Sequence, residues 1–173
     1  MTVPIKYLLD SNIFIQSYKM YYQFNFCPAY WEWIEQLNTG GLLSIDKVYD
    51  ELSAGNDTLA EWVKSRKSKF VKFDSISSQV LPDIYKILKN GNVPNNRIID
   101  FMENSLADSY LIAYAKAHNC ILITHEERTS KLNCKRKVHI PDVCDALGVN
   151  CTTIYEIMRK DKEHKMILTK NNF

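Results

Sequence analysis

The stretch Tyr7-Leu8-Leu9-Asp10-Ser11-Asn12 joins a short apolar run to a carboxylate and two small polar side chains. The apolar run predicts a buried strand, and Ser11 and Asn12 are suited to turning the chain and opening a helix. In an open α/β sheet, ligands collect outside the carboxyl ends of the strands, where Asp10 would lie. Asp10 is therefore a candidate site residue, and the alternative is that it only caps the following helix.

A similar arrangement follows a second apolar run, Ile121-Leu122-Ile123, which leads into Thr124-His125-Glu126-Glu127. Glu126 is the first carboxylate past the expected end of this strand, and Glu127 stays open as the alternative. Thr124 here and Asn12 after the first strand carry side chains that can orient a water, a carboxylate or a phosphate. Hydrogen bonding within the turn or the helix cap is the simpler explanation of both.

A third carboxylate, Asp108, precedes the apolar run that continues to residue 113. At about 100° per residue, Asp108 falls on the arc of Ala107, Leu111 and Ile112, which is the face that the helix should bury. The stretch 105–108 also reads S-x-x-D, so a capping-box role is the alternative to a functional one.

A fourth carboxylate, Glu51, lies in a segment whose apolar stripe is formed by Ile45, Val48 and Leu52. Glu51 is about 90° from the centre of this stripe, whereas Asp50 points nearly opposite, toward water. Glu51 is thus the better candidate of the two, although a partly exposed glutamate on the shoulder of a helix would give the same pattern.

Short apolar runs alternate with longer segments of helical period along the whole chain, which predicts an α/β fold around a parallel sheet. We predict strands over residues 5–9, 42–45, 70–73, 120–124 and 138–140. We predict helices over residues 28–38, 46–54, 58–68, 79–89, 106–118 and 142–147, and a loop over residues 90–96.

Length and composition favour one domain, because 173 residues at 46% hydrophobic can build a single core. We expect residues 1–150 to form the domain and residues 151–173 to add a C-terminal helix and tail to it. The formal charge of +2 gives no general argument for nucleic acid. Five scattered cysteines without a C-x-x-C pair, and no long apolar window, lead us to expect a cytoplasmic protein without a membrane partner.

In order and spacing, these motifs resemble those of the PIN-domain nucleases, and among them the VapC-type toxins of prokaryotic toxin–antitoxin systems. Asp10-Ser11-Asn12 resembles the opening D-x-N of the family, and Glu51 its helix glutamate before a leucine. Residues 108–113 resemble the D-x-x-[IL]-[IL]-A helix, and residues 124–126 the T-x-[ND] stretch, where Glu126 departs from the common Asn or Asp. The resemblance covers roughly residues 5–150. Four further stretches resemble a little-characterised bacterial branch of PIN-like proteins: residues 26–28, 30–31, 107–109 and 140–144.

This resemblance implies a three-layer α/β/α fold with a central parallel sheet of about four to five strands. It implies that Asp10, Glu51, Asp108 and Glu126 are catalytic and converge on Mg²⁺ or Mn²⁺, ions that prefer oxygen ligands. A metal-activated water would then hydrolyse RNA phosphodiester bonds. The chain would be the toxin of a type II toxin–antitoxin pair with a cognate antitoxin, and a homodimer is left open.

Less specific candidates surround this set. Asp142 follows Pro141 at a predicted helix start and is a candidate outer ligand, although the helix dipole favours an acid there in any case. Lys47, Arg128 and Lys131 are candidates for holding the RNA backbone, with a solvated basic loop as the commoner explanation.

The aromatic side chains over residues 18–33 can stack bases or receive an antitoxin helix. Most of them fit a buried helix face, and Trp31 is the member that we expect to be exposed.

Two other functions compete with the nuclease hypothesis. A phosphatase of the haloacid dehalogenase type would need a second Asp two positions after Asp10, where Asn12 stands instead. A non-catalytic PIN-like module that binds RNA or protein remains the main alternative, because Glu126 departs from the family pattern.

Overall fold

The strands of this protein are short and parallel. The computed structural model describes residues 7–38, 41–104, 107–129, 132 and 137–161, which form a mixed α/β fold. The strands in these residues are β1 (Tyr7–Leu9), β2 (Ser44–Ile45), β3 (Phe70–Val71), β4 (Ile121–Ile123) and β5 (Cys151–Thr152).

Two parallel ladders are joined side by side. β4 pairs with both β1 and β5, and β2 pairs with β3. The backbone N–H of Leu9 donates to the Leu43 carbonyl over 3.2 Å, and the Ser44 hydroxyl donates to the Leu9 carbonyl over 2.5 Å. These two bonds place β2 beside β1, which gives the strand order β3-β2-β1-β4-β5. The strands within each ladder run parallel, so the carboxyl ends of β1, β4 and β5 lie at one edge.

Helices follow most of the strands. In chain order they are α1 (Ser11–Gln16), α2 (Pro28–Gln36), α3 (Asp46–Ser53), α4 (Thr58–Lys64), α5 (Ser75–Ser78), α6 (Leu81–Asn90), α7 (Asn95–Ile99), α8 (Asp108–His118), α9 (Ile140–Leu147) and α10 (Ile154–Lys160). α3 packs against α1 and α4, while α8 packs against α5, α6 and α9. None of the helices that the described residues form is both long and apolar enough to cross a membrane.

The core is centred on β1 and β4. Leu8 and Leu9 are both fully buried, as are Leu122 and Ile123 beside them. Successive side chains of a strand point to opposite faces of the sheet. Burial of both members of each pair therefore means that both faces of β1 and β4 are covered, which is typical of parallel sheets in α/β proteins.

The predicted strand over residues 138–140 is wrong. Ile140 instead begins α9, and Pro141 stands in the first turn of that helix. Proline fits this position because its fixed φ suits the helix and the missing N–H has no helical acceptor there. The strand at this edge of the sheet is β5, which was not predicted because its two residues are too few to give an apolar pattern. Its parallel pairing with β4 makes residues 151–152 part of the same sheet.

Two loop and helix predictions also need correction. α7 begins at Asn95, inside the stretch that was predicted to be a loop, and the helix expected over residues 58–68 ends at Lys64, before a 3₁₀ turn at Lys67–Lys69. α5, which was not predicted, is capped by Asp74, whose carboxylate accepts a hydrogen bond from the Ser77 amide over 2.8 Å.

The expectation that Trp31 is exposed is also wrong, since its exposed fraction is 3%. Its indole N–H donates to the Tyr22 carbonyl over 2.6 Å, and its ring lies 4.3 Å from that of Phe24 and 5.0 Å from that of Trp62. These partners come from segments outside α2, so the helical period of α2 alone could not reveal them.

Asn38 fixes the start of β1 through its side-chain amide. Its Oδ1 accepts from the Tyr7 N–H over 2.9 Å, and its Nδ2 donates to the carbonyls of Tyr7 and Leu42 over 2.8 and 2.9 Å. The residue is 4% exposed, so water cannot replace these partners.

We predict that Asn38→Ala lowers the free energy of unfolding by about 2–4 kcal/mol, because it leaves buried backbone groups without partners. Urea unfolding followed by circular dichroism measures the change. Asn96→Ala, on an exposed position of α7, is the matched control and should change the stability by about 0.5 kcal/mol or less. Equal effects of the two substitutions would contradict this role of Asn38.

Candidate functional site

Asp10 lies directly past the carboxyl end of β1 and is fully buried. Its backbone N–H donates to the Ile123 carbonyl over 2.9 Å, which continues the β1–β4 ladder by one residue. The register of that ladder places Leu9 opposite Ile123, so Asp10 comes to lie beside Thr124. The Thr124 hydroxyl donates to Asp10 Oδ2 over 2.7 Å.

The other partners of the Asp10 carboxylate come from α1. Ser11 Oγ donates to Oδ1 over 3.3 Å, and Asn12 Nδ2 donates to Oδ2 over 3.4 Å. Asp10 occupies the N-cap position of α1 but makes no regular capping hydrogen bond, although the Asn12 backbone amide lies near enough to lower its pKa. The capping role that the sequence left open is therefore not the main use of this side chain.

Burial governs the ionisation of Asp10. Desolvation raises the pKa of its carboxyl group, the Thr124 hydrogen bond opposes that rise, and the charge of Glu126 adds to it. A carboxylate in this environment is costly to keep ionised unless a cation shares the site.

The carboxylates of Asp108 and Glu51 repel each other electrostatically. Asp108 is 9% exposed, as its position on the apolar arc of α8 predicted, and it stands in the first turn of that helix. Glu51 on α3 is half-buried, whereas its neighbour Asp50 is exposed, as predicted. Desolvation raises the pKa of Glu51 and the Asp108 charge adds to the rise, while a hydrogen bond from Ser11 and the charge of Lys137 lower it.

Glu126 lies among the same charges but has partners of its own. Its Oε1 accepts a hydrogen bond from Lys137 Nζ, and its Oε2 accepts one from the Ile140 N–H at the start of α9 over 2.8 Å. The Thr124 hydroxyl accepts from the Glu126 N–H over 3.1 Å, which forms the turn after β4. Between the two glutamates that the sequence left open, Glu126 interacts with Asp10, and Glu127 is exposed.

Asp10, Glu51, Asp108 and Glu126 are called the carboxylate cluster below. Asp10 interacts electrostatically with Glu126, and Glu51 with Asp108. Ser11 and Lys137 each interact with members of both pairs, which relates the two pairs to each other. The capping box considered for Asp108 involves Ser105, which lies outside the described residues.

Asp142 is held by the loop that follows Glu126. Its Oδ1 accepts from the Thr129 N–H over 2.9 Å, and its Oδ2 accepts a hydrogen bond from the Thr129 hydroxyl. Asp142 is 6% exposed. These bonds give it a structural part in fixing the loop, which the sequence alone did not indicate.

The three RNA-binding candidates differ in their surroundings. Lys47 Nζ lies 5.4 Å from the centre of the Tyr110 ring. Arg128 binds Asp145 through two hydrogen bonds, in which Nε and Nη2 donate over 3.0 and 3.3 Å. Its Nη2 also donates to the Cys151 carbonyl over 2.8 Å. This arrangement braces α9 against β5 and leaves Arg128 less suited to a phosphate. Lys131 lies outside the described residues.

The donor chemistry of the carboxylate cluster fits a hard divalent cation, since all its candidate ligands are oxygens. Among the described residues, however, no three acidic, histidine or cysteine side chains lie close enough together to hold an ion directly.

The family model described as a domain of unknown function, DUF4411, matches residues 7–165, which include every strand and every member of the carboxylate cluster. The chain belongs to the DUF4411 family. No curated protein matches it.

Two residues of this region were missed by the sequence reasoning. Ser11 interacts with both Asp10 and Glu51, and its position inside the D-x-N stretch was the one available signal. Lys137 lies at the end of a run of basic residues in the sequence, and it was not among the candidates named from that run. Nothing in its sequence neighbourhood indicated a contact with Glu126, because the two residues are 11 positions apart and no local pattern relates them.

We predict that Asp10→Asn makes the metal-free protein more stable at about pH 7, by about 1–3 kcal/mol, because the amide keeps an acceptor for Thr124 but carries no charge. The raised pKa of Asp10 gives the direction in which the stability of the natural protein changes with pH. The protonated Asp10 carboxyl group stabilises the fold, and this contribution is fully present below the ordinary pKa of 3.8 and is lost as the pH rises through the raised pKa.

Urea unfolding in the presence of a chelator tests this prediction. The stability advantage of Asp10→Asn over the natural protein should grow between about pH 4 and about pH 7. Asp50→Asn, an exposed carboxylate on α3, is the control and should show no such trend. A less stable Asp10→Asn protein at neutral pH would contradict the burial argument.

Proposed function

We propose that this protein is a Mg²⁺- or Mn²⁺-dependent endoribonuclease with the three-layer α/β/α fold of PIN-domain proteins. The observation that carries the proposal is the fully buried Asp10 at the carboxyl edge of a parallel sheet, hydrogen-bonded to Thr124 and within the field of Glu126. Coverage of both faces of β1 and β4 supports the three-layer arrangement.

The buried position of the cluster favours a catalytic use over a purely structural one. Burial raises the pKa values of two of its carboxylates, Asp10 and Glu51, and groups perturbed in this way concentrate at functional sites. A carboxylate as deeply buried as Asp10 destabilises the fold when it is ionised, so a role at the metal-binding step gives it a purpose that packing does not.

The residues of the site would have different roles in binding the ion and its water. Asp10 and Asp108 offer the most deeply buried oxygens for the ion, and the Thr124 and Ser11 hydroxyls hold the Asp10 carboxylate in one orientation. Glu51, half-buried on α3, is placed to hold or orient a water. A bound divalent cation supplies a water of lowered pKa and neutralises charge on the phosphoryl oxygens.

The toxin part of the proposal rests on the resemblance to VapC-type proteins. A cognate antitoxin would then be the protein partner, and RNA the substrate. The protein would act in the cytoplasm.

We predict that Asp10→Asn and Asp108→Asn each lower Mn²⁺-dependent cleavage of RNA by roughly 100-fold or more, because each removes a charged oxygen ligand. Cleavage of a fluorescently labelled RNA pool with and without Mn²⁺ measures the loss. Glu51→Gln and Asp50→Asn form a matched pair on α3: the first should impair cleavage, and the second should leave it unchanged. Cleavage that survives Asp10→Asn, or that needs no metal, would exclude the mechanism.

A cellular test addresses the toxin assignment separately. Induced production of the natural protein in a bacterial host should arrest growth, and Asp108→Asn should relieve the arrest because the same carboxylate is needed for cleavage. Protein levels measured by immunoblot check that both forms accumulate equally. Normal growth at high levels of an RNA-cleaving protein would argue against the toxin role while leaving the nuclease.

One observation favours the non-catalytic binding module as a second candidate. Both carboxylate oxygens of Glu126 already accept hydrogen bonds from Lys137 and Ile140, and the described residues contain no closed set of metal ligands. RNA binding that is indifferent to Mn²⁺, together with a lack of cleavage by the natural protein, would support this candidate.

A further inference from the structure

Lys137 supplies a positive charge to the carboxylate cluster. Its ammonium group donates to Glu126 Oε1. Burial lowers the pKa of Lys137, but the hydrogen bond and charge of Glu126, followed by the charges of Asp108 and Asp10, outweigh this, and the net shift is upward. Its charge also acts on Glu51, the fourth member of the cluster.

The other basic side chains described near this edge are held differently. Arg128 is bound to Asp145, and Lys47 lies over the Tyr110 ring. Lys137, by contrast, is in direct contact with Glu126, and its positive charge acts electrostatically on the other three carboxylates of the cluster.

The Lys137 side chain is also able to leave. It is 55% exposed, whereas that of Glu126 is 10% exposed. A lysine ammonium group sits on a flexible four-carbon stem and is strongly hydrated, so it can move into water without unfolding the chain. Glu126 would keep its bond to the Ile140 N–H when the ammonium group moves away.

Resting on the proposed function, we propose that Lys137 is a displaceable internal cation that competes with the divalent ion for the carboxylate cluster. In the metal-free protein its ammonium group partly neutralises the four carboxylates. When the divalent ion binds, the ion and the Lys137 ammonium group would compete for the same carboxylate oxygens and repel each other, so Lys137 has to leave Glu126. Lys137 thus lowers the affinity of the site for the ion.

A purely structural ion pair would behave differently. If Lys137 only fastened the chain to Glu126, its removal would lower stability and leave the affinity for the ion unchanged or weaker. Competition predicts the opposite sign for affinity, because loss of the lysine charge leaves the cluster more negative.

The test uses the full chain, stripped of metal with a chelator and dialysed, and titrated with MnCl₂ in a calorimeter at fixed pH and low ionic strength. Lys137→Gln should bind Mn²⁺ roughly three- to tenfold more tightly than the natural protein. Lys137→Met should do the same, since it is similar in length and also uncharged. Lys137→Arg keeps the charge and should retain the natural affinity.

Lys160→Gln is the matched control. Lys160 pairs with Glu156 over 4.0 Å on α10, so this variant also removes one lysine charge beside a glutamate. Its Mn²⁺ affinity should equal that of the natural protein. The melting temperature of each variant with and without MnCl₂ gives a second readout, and the increase on adding metal should be largest for the two uncharged variants.

Equal or weaker Mn²⁺ binding by Lys137→Gln and Lys137→Met overturns the inference while leaving the proposed nuclease intact. Failure of both variants to fold also overturns it, because a cation that the fold requires cannot be displaced. Tight Mn²⁺ binding without RNA cleavage removes only the proposed function. A lack of Mn²⁺ binding by every variant removes both.

Discussion

The hydrogen bond from Thr124 to Asp10 is the interaction on which the candidate site depends. It crosses from the end of β4 to the end of β1, one residue beyond the last paired positions of the ladder. Burying an ionised carboxylate away from water costs free energy, and a buried hydrogen bond to that carboxylate recovers only part of the cost. The parallel register of β1 and β4 is therefore tied to the chemistry, since a slip of one residue would separate the two side chains and turn them to other faces.

Charge balance extends from this point to Glu126. The N–H of Ile140 belongs to the first turn of α9, where unpaired backbone amides and the helix dipole favour a negative charge. Glu126 is thus held at a helix start on one side and by Lys137 on the other. The length of the glutamate side chain explains how it reaches α9 from the β4 turn, a distance that a shorter acid at this position would span less readily. Glu126, which departs from the pattern of the PIN-domain proteins that the sequence resembles, thus has a structural partner in α9.

Local periodicity predicted those features that depend on a single element. The apolar runs at β1 and β4, the burial of Asp108 on α8, and the exposure of Asp50 beside a half-buried Glu51 all follow from the spacing of side chains along one strand or helix. Features that depend on several segments were missed or wrong. Trp31 is covered by Tyr22, Phe24 and Trp62, which lie in other segments, and no pattern within α2 carries that information.

The predictions of short helices and strands failed for a different reason. The three apolar residues from position 138 fit a buried strand as well as a helix start, and Pro141 decided in favour of the helix. β5 has two residues and is specified by its bonds to β4 rather than by its own composition. The contact of Lys137 with Glu126 was missed as well, because it joins residues 11 positions apart that share no helix or strand.

A buried acid can belong to a structural network as well as to an active site, and the surroundings of each carboxylate separate the two uses here. Buried Asp142 accepts two hydrogen bonds from Thr129 and fixes a loop, and Asp145, which is exposed, accepts two hydrogen bonds from Arg128. These acids stabilise the fold through their partners. Asp10 instead has its pKa raised by burial and by Glu126, so its ionised form remains unfavourable within the chain alone. Under the proposed function, a divalent cation at the carboxyl edge of the sheet would be the partner that makes this arrangement favourable.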